Sequence, residues 1–553
     1  MLRNGRLLTM DDARPEAQAM AARGGRIVFV GTDAEAAPHI GPATRTIDLQ
    51  GRLAIPGFIE GHGHFAGLGE SRLGLDLTGA TSWPEIVQAV AAAVARARPG
   101  QWIIGSGWHQ DKWTAAPQPN VDGFPTHASL DAVSPGNPVV LAHASRHGVF
   151  VNARALALSG ITRASRNPPG GDILKDATGE PAGFLSENAA LLVKRGVGEP
   201  EPTADEAAAR LRETLRLADE EAIAKGVTSF QDAGEPFATI DAMRAAVDRG
   251  ELRVRLWVMA RGDLATLAAN LDRYKTIGYG NDRLTVRAIK DYADGAMGSR
   301  GAWLLEPYAD KPDSTGLPRP AMSTLPQVAR LAIEKGYQLA VHAIGDRANR
   351  EVLNVYEAAF ASANRRGADL RWRIEHAQQL TAADIPRFAA LGVIASMQPV
   401  HATSDGGWVG DRIGPVRVEE GSYVWRKLLA SGAALAAGTD VPVEDIDPIA
   451  NFHAAVTRRL ADGRVITEGQ RLTRMEALRA LTLGNAFAAF EESIKGSLTP
   501  GKLADVTVLS KDITAVPDDE IRGARVAYTI VGGQVRYVAA GLPPSPKASA
   551  DSP

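Results

Sequence analysis

The two ends of the chain share one pattern of apolar and polar positions, and the long middle carries another. Near the start, the runs AMAAR and RIVFVG flank Gly24 and Gly25, and TRTIDLQGRLAIPG follows. Short apolar runs around a Gly-Gly pair predict strands joined by a hairpin turn. Near the end, ADVTVLS, RVAYTIV and QVRYVAA repeat the arrangement around Gly532 and Gly533. Each end holds too few strands to be stable alone. Pairing them into one small β-sandwich, residues 1–55 with 496–545, would cover both apolar faces. Two separate hairpins on a larger body are the competing arrangement.

From about residue 200 the pattern becomes an alternation of apolar strand and amphipathic helix. The predicted strands are VTSFQDAG, LRVRLWVMA, LTVRAIKDYADG, QLAVHAIGD, RWRIEHAQ, VIASMQPVH and ALAAGTDVP, with LAIPGFIEGHGH earlier as the first of eight. Several intervening helices end at a Gly just before the next strand (Gly226, Gly250, Gly336, Gly392), where the left-handed conformation closes a helix. Eight βα units predict an α/β protein built on a (β/α)8 TIM barrel, although an open doubly wound sheet gives the same local signals. The polar residues separate the two. His62, His64, Asp232, Lys290, His342, His376, His401 and Asp440 fall at or just past the carboxyl ends of these strands. A closed barrel gathers them at one mouth, whereas an open sheet holds the outer ones too far apart. From His62 to Asp440 is about 380 residues against about 250 for a typical barrel, so a small domain must be inserted. The barrel is therefore predicted over 56–84 and 201–495, with the insertion over 85–200.

Composition narrows the chemistry. A chain of 553 residues suggests two to four domains. With 61 basic and 64 acidic residues its net charge is -3, which excludes a basic nucleic-acid binder by bulk electrostatics. No run approaches the roughly 18 apolar residues of a membrane span, and MLRNGRLLTMDDA lacks the apolar core of a signal peptide. A cytoplasmic protein is expected, unless an export leader has been removed. For assembly, the general preference of soluble proteins for homodimers is the only guide. The absence of Cys excludes disulfides, thiolate-bound metals and thiol catalysis, so a transition metal would need His, carboxylate or modified Lys. No serine-hydrolase elbow, phosphate loop or dinucleotide fingerprint is present.

The strongest local motif is GHGH at 61–64, directly after an apolar strand. Two His one residue apart on an extended segment point the same way, so both imidazoles can reach one ion. With PGFIEGHGHF, IKDYADGAMGSRGA, HAIGDRAN, RIEHAQ, GTDVP and GSLTPGKLADVTVL in this order, the chain resembles the amidohydrolase superfamily, in the branch of YtcJ-like proteins and N-substituted formamide deformylases. The resemblance implies a metal-dependent barrel with a sandwich of terminal strands, one or two zinc-like ions, and hydrolysis of an amide-like bond. Carried over by position, His62, His64, His342, His376 and Asp440 are implied as metal ligands, with Lys290 as a lysine that can be N6-carboxylated. Glu60 stands where the family usually has Asp.

Asp440 suits the general base, taking a proton from the attacking water and passing it to the leaving amine. A Lys290 neutralised by burial and nearby metal charge can react with carbon dioxide to give a bridging carbamate; the plainer alternative is an ammonium paired with Asp291 or Asp294. The resemblance places His147 and His401 toward the substrate, as catalytic candidates. Glu375, Asp346, Asp232 and Asp294 are expected to orient the site through hydrogen bonds. Trp83, Trp102, Trp108 and Trp113 crowd the insertion and Trp303 follows the Lys290 loop. Trp108, Trp113 and Trp303 are expected to line the mouth for a small, neutral, apolar amide substrate, with no nucleic-acid or membrane partner. Two other readings stay open: an esterase, lactonase or phosphotriesterase on the same barrel, and a regulatory protein that keeps the fold without turnover.

Overall fold

The computed structural model describes residues 1–542, apart from 78, 109, 111–112, 144–147, 169–170, 198–201 and 299. Two compact units divide the chain: Met1–Gly67 with the segment from Ala218 onward, and Leu68–Leu217. In the first unit the chain ends interleave. A six-stranded sheet runs in the order Gln534–Val538, Val526–Val531, Val506–Leu509, Leu53–Pro56, Arg6–Leu8, Glu16–Ala17. Its centre is an antiparallel pair between a C-terminal and an N-terminal strand, Val506 opposite Pro56 and Leu509 opposite Leu53. A four-stranded sheet of Arg26–Gly31, Ala19–Arg23, Leu2–Arg3 and Ile47–Asp48 supplies the other layer. Leu2, Met20 and Ile27 from that sheet share one buried cluster with Leu7, Val508 and Ile530 of the six-stranded one. Neither end could cover this surface alone, which is why they fold together.

The barrel strands are β1 (Phe58–Gly63), β2 (Val227–Glu235), β3 (Arg255–Ala260), β4 (Leu284–Tyr292), β5 (Gln338–Ala343), β6 (Arg373–His376), β7 (Ile394–Met397) and β8 (Leu435–Ala437). Each is parallel to the next around the sheet. All eight coincide with the predicted apolar runs. The first run differs in one respect: LAIP belongs to the terminal sheet, and the chain enters the barrel only after Gly57. The helices Leu325–Lys335 and Ile385–Leu391 end on Gly336 and Gly392, each at φ +66°.

Among the described residues no strand ladder pairs β8 with β1; side chains and two backbone hydrogen bonds close the seam between them. The Asn485 amide donates to the carbonyls of Ile59 and Ala437 at 2.6 and 2.8 Å and accepts from the Ala437 N–H at 2.8 Å. Glu60 accepts from the Thr439 N–H at 2.7 Å and the Thr439 hydroxyl at 3.0 Å. Beyond it, the Asp440 N–H donates to the His62 carbonyl and the His64 N–H to the Val441 carbonyl, both at 2.7 Å. The approach demands glycine on both sides. A Cβ at Gly61 would sit 2.4 Å from Asn485 Oδ1, and one at Gly438 would sit 2.3 Å from the His62 nitrogen.

The second unit has a mixed six-stranded sheet, with Ile103–Trp108 parallel to Val139–His143 and Leu75–Asp76. Helix Trp83–Val94 contributes Trp83, Ile86 and Val90 to its core beside Trp108, Leu130 and Phe150. Trp108 is 0% exposed and its indole N–H donates to the Leu141 carbonyl at 2.9 Å. Trp113 is half-buried and stacks on it at 5.8 Å. The expectation that Trp108 contacts substrate is therefore corrected: its whole surface is engaged in packing. Trp108→Ala is expected to destabilise the unit by about 3–5 kcal/mol while leaving the Michaelis constant of surviving folded protein unchanged. Chemical unfolding and steady-state kinetics together check both halves. Among the described residues, no helix is long and apolar enough to cross a membrane.

Candidate metal centre

The carboxyl ends of the barrel strands deliver two groups of ligand-type atoms that share Asp440. One is His62, His64 and Asp440; the other is His376, His401 and Asp440. His62 lies in β1, His64 just past it, His376 ends β6, His401 follows β7 on Pro399–Asp405, and Asp440 follows β8. Asp440 Oδ1 is 3.4 Å from His62 Nε2 and 3.2 Å from His64 Nε2, and Oδ2 is 4.0 Å from His401 Nε2. His376 and Asp440 adopt left-handed backbone angles, φ +76° and +60°. Such angles cost about 1–3 kcal/mol in a non-glycine residue and persist where surrounding contacts impose them. Here the seam bonds on Asp440 and the β5–β6–β7 pairing around His376 do so.

Hydrogen bonds behind the ligands set their tautomers. His62 Nδ1 donates to Glu375 Oε2 and His376 Nδ1 donates to Gln398 Oε1 at 2.7 Å. Each partner atom can only accept, so Nδ1 carries a proton in both rings and Nε2 faces inward; with no ion bound, and against its burial, Glu375 and Asp440 raise His62 above its ordinary value. Glu375 is in turn held by Arg373, whose Nε and Nη2 reach its two oxygens at 2.7 and 3.0 Å. Arg373 also donates to Gln231 Oε1, the Gly61 carbonyl and Ser396 Oγ, inside the barrel at 0% exposure. Glu60 reaches across to Thr439 and also accepts from the His62 N–H at 3.2 Å. Burial pushes its carboxyl up to about 7 against these hydrogen bonds.

The charge states suit cation binding. Burial, with His342 and His62 close by, holds His376 well below its ordinary value, and burial does the same more weakly for His64. Both are neutral imidazoles, the form that ligates. Asp440 moves the other way: burial opposes ionisation, but His62 and His64 outweigh it and keep the carboxyl well below the usual carboxylate range. Arg373 and His62 likewise hold Glu375 down against its burial.

Several of these atoms are buried without any hydrogen-bond partner: His62 Nε2, His342 Nε2, His401 Nε2 and Asp440 Oδ1. Unmatched buried polar atoms each cost about 1–3 kcal/mol, so a cluster of them aimed at one space calls for an electrophilic partner. Imidazole nitrogens and one carboxylate are the donor set of a divalent first-row ion.

His342 completes the ring of imidazoles, 4.5 Å from His376 between ring centres, with Nε2 3.4 Å from Asp294 Oδ1. Lys290 is buried, its Nζ 4.6 Å from the Tyr292 ring centre. No carboxylate lies within ion-pair distance of it among the described residues, so the pairing with Asp291 or Asp294 is not formed. Asp294 accepts from the Ile344, Gly345 and Trp303 N–H groups and shapes the loop after β5. Asp232 accepts from the Phe65 N–H beside His64, and Asp346 from the Leu305 and Arg347 N–H groups. Trp303 is half-buried with the Arg347 guanidinium 4.9 Å over its ring. His147 lies outside the described residues.

Three contributors were not picked out from the sequence: Asn485, Arg373 and Gln398. Their types are common in loops and strands, and their partners are backbone groups and side chains distant in sequence, which leave no spacing signature.

The chain matches the amidohydrolase family over residues 45–537, and it belongs to that family. It is 33% identical to Protein LONG AFTER FAR-RED 3 of Arabidopsis thaliana, over 97% of this chain and 91% of that one. It is 29% identical to N-substituted formamide deformylase of Arthrobacter pascens, over 97% and 98% of the two chains. Among solved structures it is similar to an uncharacterized metal-dependent hydrolase from Pyrococcus horikoshii, with a TM-score of 0.73 at 26% identity, covering 94% of this chain and 98% of that one. The family expected from the ordered motifs is the family observed.

Proposed function

We propose that this chain is a metal-dependent amidohydrolase that cleaves a carbon–nitrogen bond, amide or formamide, in a small and largely apolar molecule. The observation that carries the reading is the pair of ligand groups that share Asp440, His62 with His64 and His376 with His401, in which His62 Nε2, His401 Nε2 and Asp440 Oδ1 are buried without a hydrogen-bond partner. His62, His64, His342, His376 and Asp440 would hold the ion, with zinc the best match to this donor set. When bound, such an ion acidifies a water and polarises the scissile carbonyl.

The chain's own groups supply the proton transfers. Asp440 is ionised at neutral pH and accepts a proton from the attacking water. It returns that proton to the leaving nitrogen as the C–N bond breaks, so the products are a carboxylic or formic acid and a neutral amine. His401, with Nε2 4.0 Å from Asp440 Oδ2, is placed to hydrogen-bond the substrate carbonyl or leaving group. Lys290 is buried with no carboxylate within ion-pair distance among the described residues; its neutral amine would combine with carbon dioxide, losing a proton, to give a carbamate that would add an oxygen ligand. Trp303 offers an apolar wall. The likeness to N-substituted formamide deformylase over nearly the whole chain supports the substrate class.

Elemental analysis of purified protein is expected to find one or two divalent ions per chain. Chelation should abolish hydrolysis of N-aryl and N-alkyl formamides, and added zinc should restore it. Full activity in metal-free protein would overturn the proposal. Faster turnover of matched esters, lactones or phosphotriesters would replace the bond class, and metal-loaded protein inert to all of these would favour the regulatory reading.

A further inference from the structure

At the amino ends of the barrel strands, remote from the metal ligands, a cavity of about 490 Å³ opens between the barrel floor and the terminal sheet. Five arginines line it and no carboxylate does: Arg23, Arg26, Arg255, Arg283 and Arg536. Arg255 begins β3 and Arg283 immediately precedes β4. Arg23 ends one strand of the N-terminal hairpin, and Arg536 lies in the edge strand Gln534–Val538. The cavity therefore joins three parts of the fold that the sequence separates widely.

Two of the five charges are compensated from behind. Arg255 forms a two-pronged pair with Asp505, at 2.7 and 3.0 Å, and donates its remaining nitrogen to the carbonyls of Asn281 and Asp282. Arg26 lies 3.3 Å from Asp282. The other three, Arg23, Arg283 and Arg536, have no carboxylate within ion-pair distance among the described residues. Arg283 donates to the Arg253 carbonyl, and Arg536 Nε is buried with no hydrogen-bond partner. Burial and the neighbouring Arg255 and Arg536 outweigh Asp505 and Asp219 and push Arg283 down to about 10, and burial with Arg253 and Arg255 lowers Arg536 against Asp219. Arg283 and Arg536 nonetheless remain cations at neutral pH. Like charges gathered around a partly enclosed polar space repel one another unless an anion joins them.

We infer that this cavity binds a small anion carrying a phosphate group, held by Arg23, Arg283 and Arg536. Guanidinium forks match phosphate oxygens in pairs, and three cations without an ion-pair partner suit a group with more than one negative charge better than a carboxylate. The volume exceeds that of inorganic phosphate and falls in the range of sites for drug-sized organic molecules. Bound there, the anion would tie the barrel floor to both chain ends and so stabilise the fold without touching the reaction. The inference is independent of the substrate proposed above.

The test uses the full-length, metal-loaded chain at constant ionic strength, with inorganic phosphate, pyrophosphate and AMP as probes and acetate as control. Thermal unfolding and calorimetric titration should show a saturable rise in Tm and a measurable Kd for the phosphate probes. Tighter binding of AMP would assign an organic phosphate, and equal or tighter binding of the inorganic probes a free phosphate or pyrophosphate. Arg536→Gln and Arg283→Gln are each expected to weaken binding about tenfold or more, with hydrolytic activity unchanged. Should Arg283→Gln fail to fold, Arg536→Gln on the edge strand carries the test alone. No saturable response, an equal response to acetate, or undiminished binding in Arg536→Gln would overturn the inference.

Discussion

Asp440→Asn is expected to lower kcat by about 10²–10⁴ while leaving the fold and most of the bound metal in place. The substitution preserves shape, so the backbone bonds that close the barrel seam, Asp440 N–H to His62 carbonyl and His64 N–H to Val441 carbonyl, are untouched. What changes is the proton affinity of the side chain. In the native protein two imidazoles keep this carboxyl ionised although it is buried, so it meets the attacking water as a base. The carboxamide has no such capacity, and no second carboxylate belongs to either ligand group among the described residues. Metal content measured beside kcat separates the two duties of Asp440. Loss of rate with metal retained assigns the proton transfer; loss of both would make it a ligand before a base. A variant within a few-fold of the native rate would remove Asp440 from the chemistry.

How much of this centre was legible follows from how each residue acts. The imidazoles and Asp440 announce themselves because ligand-type residues at strand ends are rare and the alternation of eight strands puts those ends together. The barrel was readable for the same reason: each strand is an apolar run bounded by a helix. The seam was not. Asn485 and Glu60 work by reaching backbone groups of a strand distant in sequence, and the glycines that permit it, Gly61 and Gly438, look like ordinary loop residues. His401 is an intermediate case. Its position past β7 was visible, but its grouping with His376 and Asp440 depends on the turn into Pro399–Asp405. Trp108 shows the opposite failure. An aromatic in an insertion between the first two barrel strands invites a substrate role, whereas a domain of this size needs large side chains for its own core.

Glu375→Ala is expected to destabilise the protein by about 3–5 kcal/mol and, separately, to weaken metal binding about 10–100-fold. The two losses have different causes. Glu375 compensates Arg373, which is wholly buried in the barrel, otherwise donates to Gln231, the Gly61 carbonyl and Ser396, and lies 5.7 Å over the Trp257 ring. Removing the carboxylate leaves a guanidinium stranded in a low-dielectric interior, which accounts for the stability term. The same carboxylate accepts from His62 Nδ1 and so fixes the orientation of His62 Nε2 toward Asp440. Its loss frees the ring, which accounts for the affinity term. A double variant, Arg373→Met with Glu375→Leu, removes the stranded charge along with its partner and fills the space with apolar volume. Its unfolding free energy should return to near the native value or above it, since buried ion pairs seldom exceed well-packed hydrophobic replacements. Its metal affinity should stay as low as that of Glu375→Ala, because His62 still lacks an acceptor. Denaturant unfolding of chelated protein and zinc titration of the folded protein measure the two quantities independently. Recovery of affinity together with stability would mean that the pair serves only to hold the barrel together, and that His62 is oriented by other contacts.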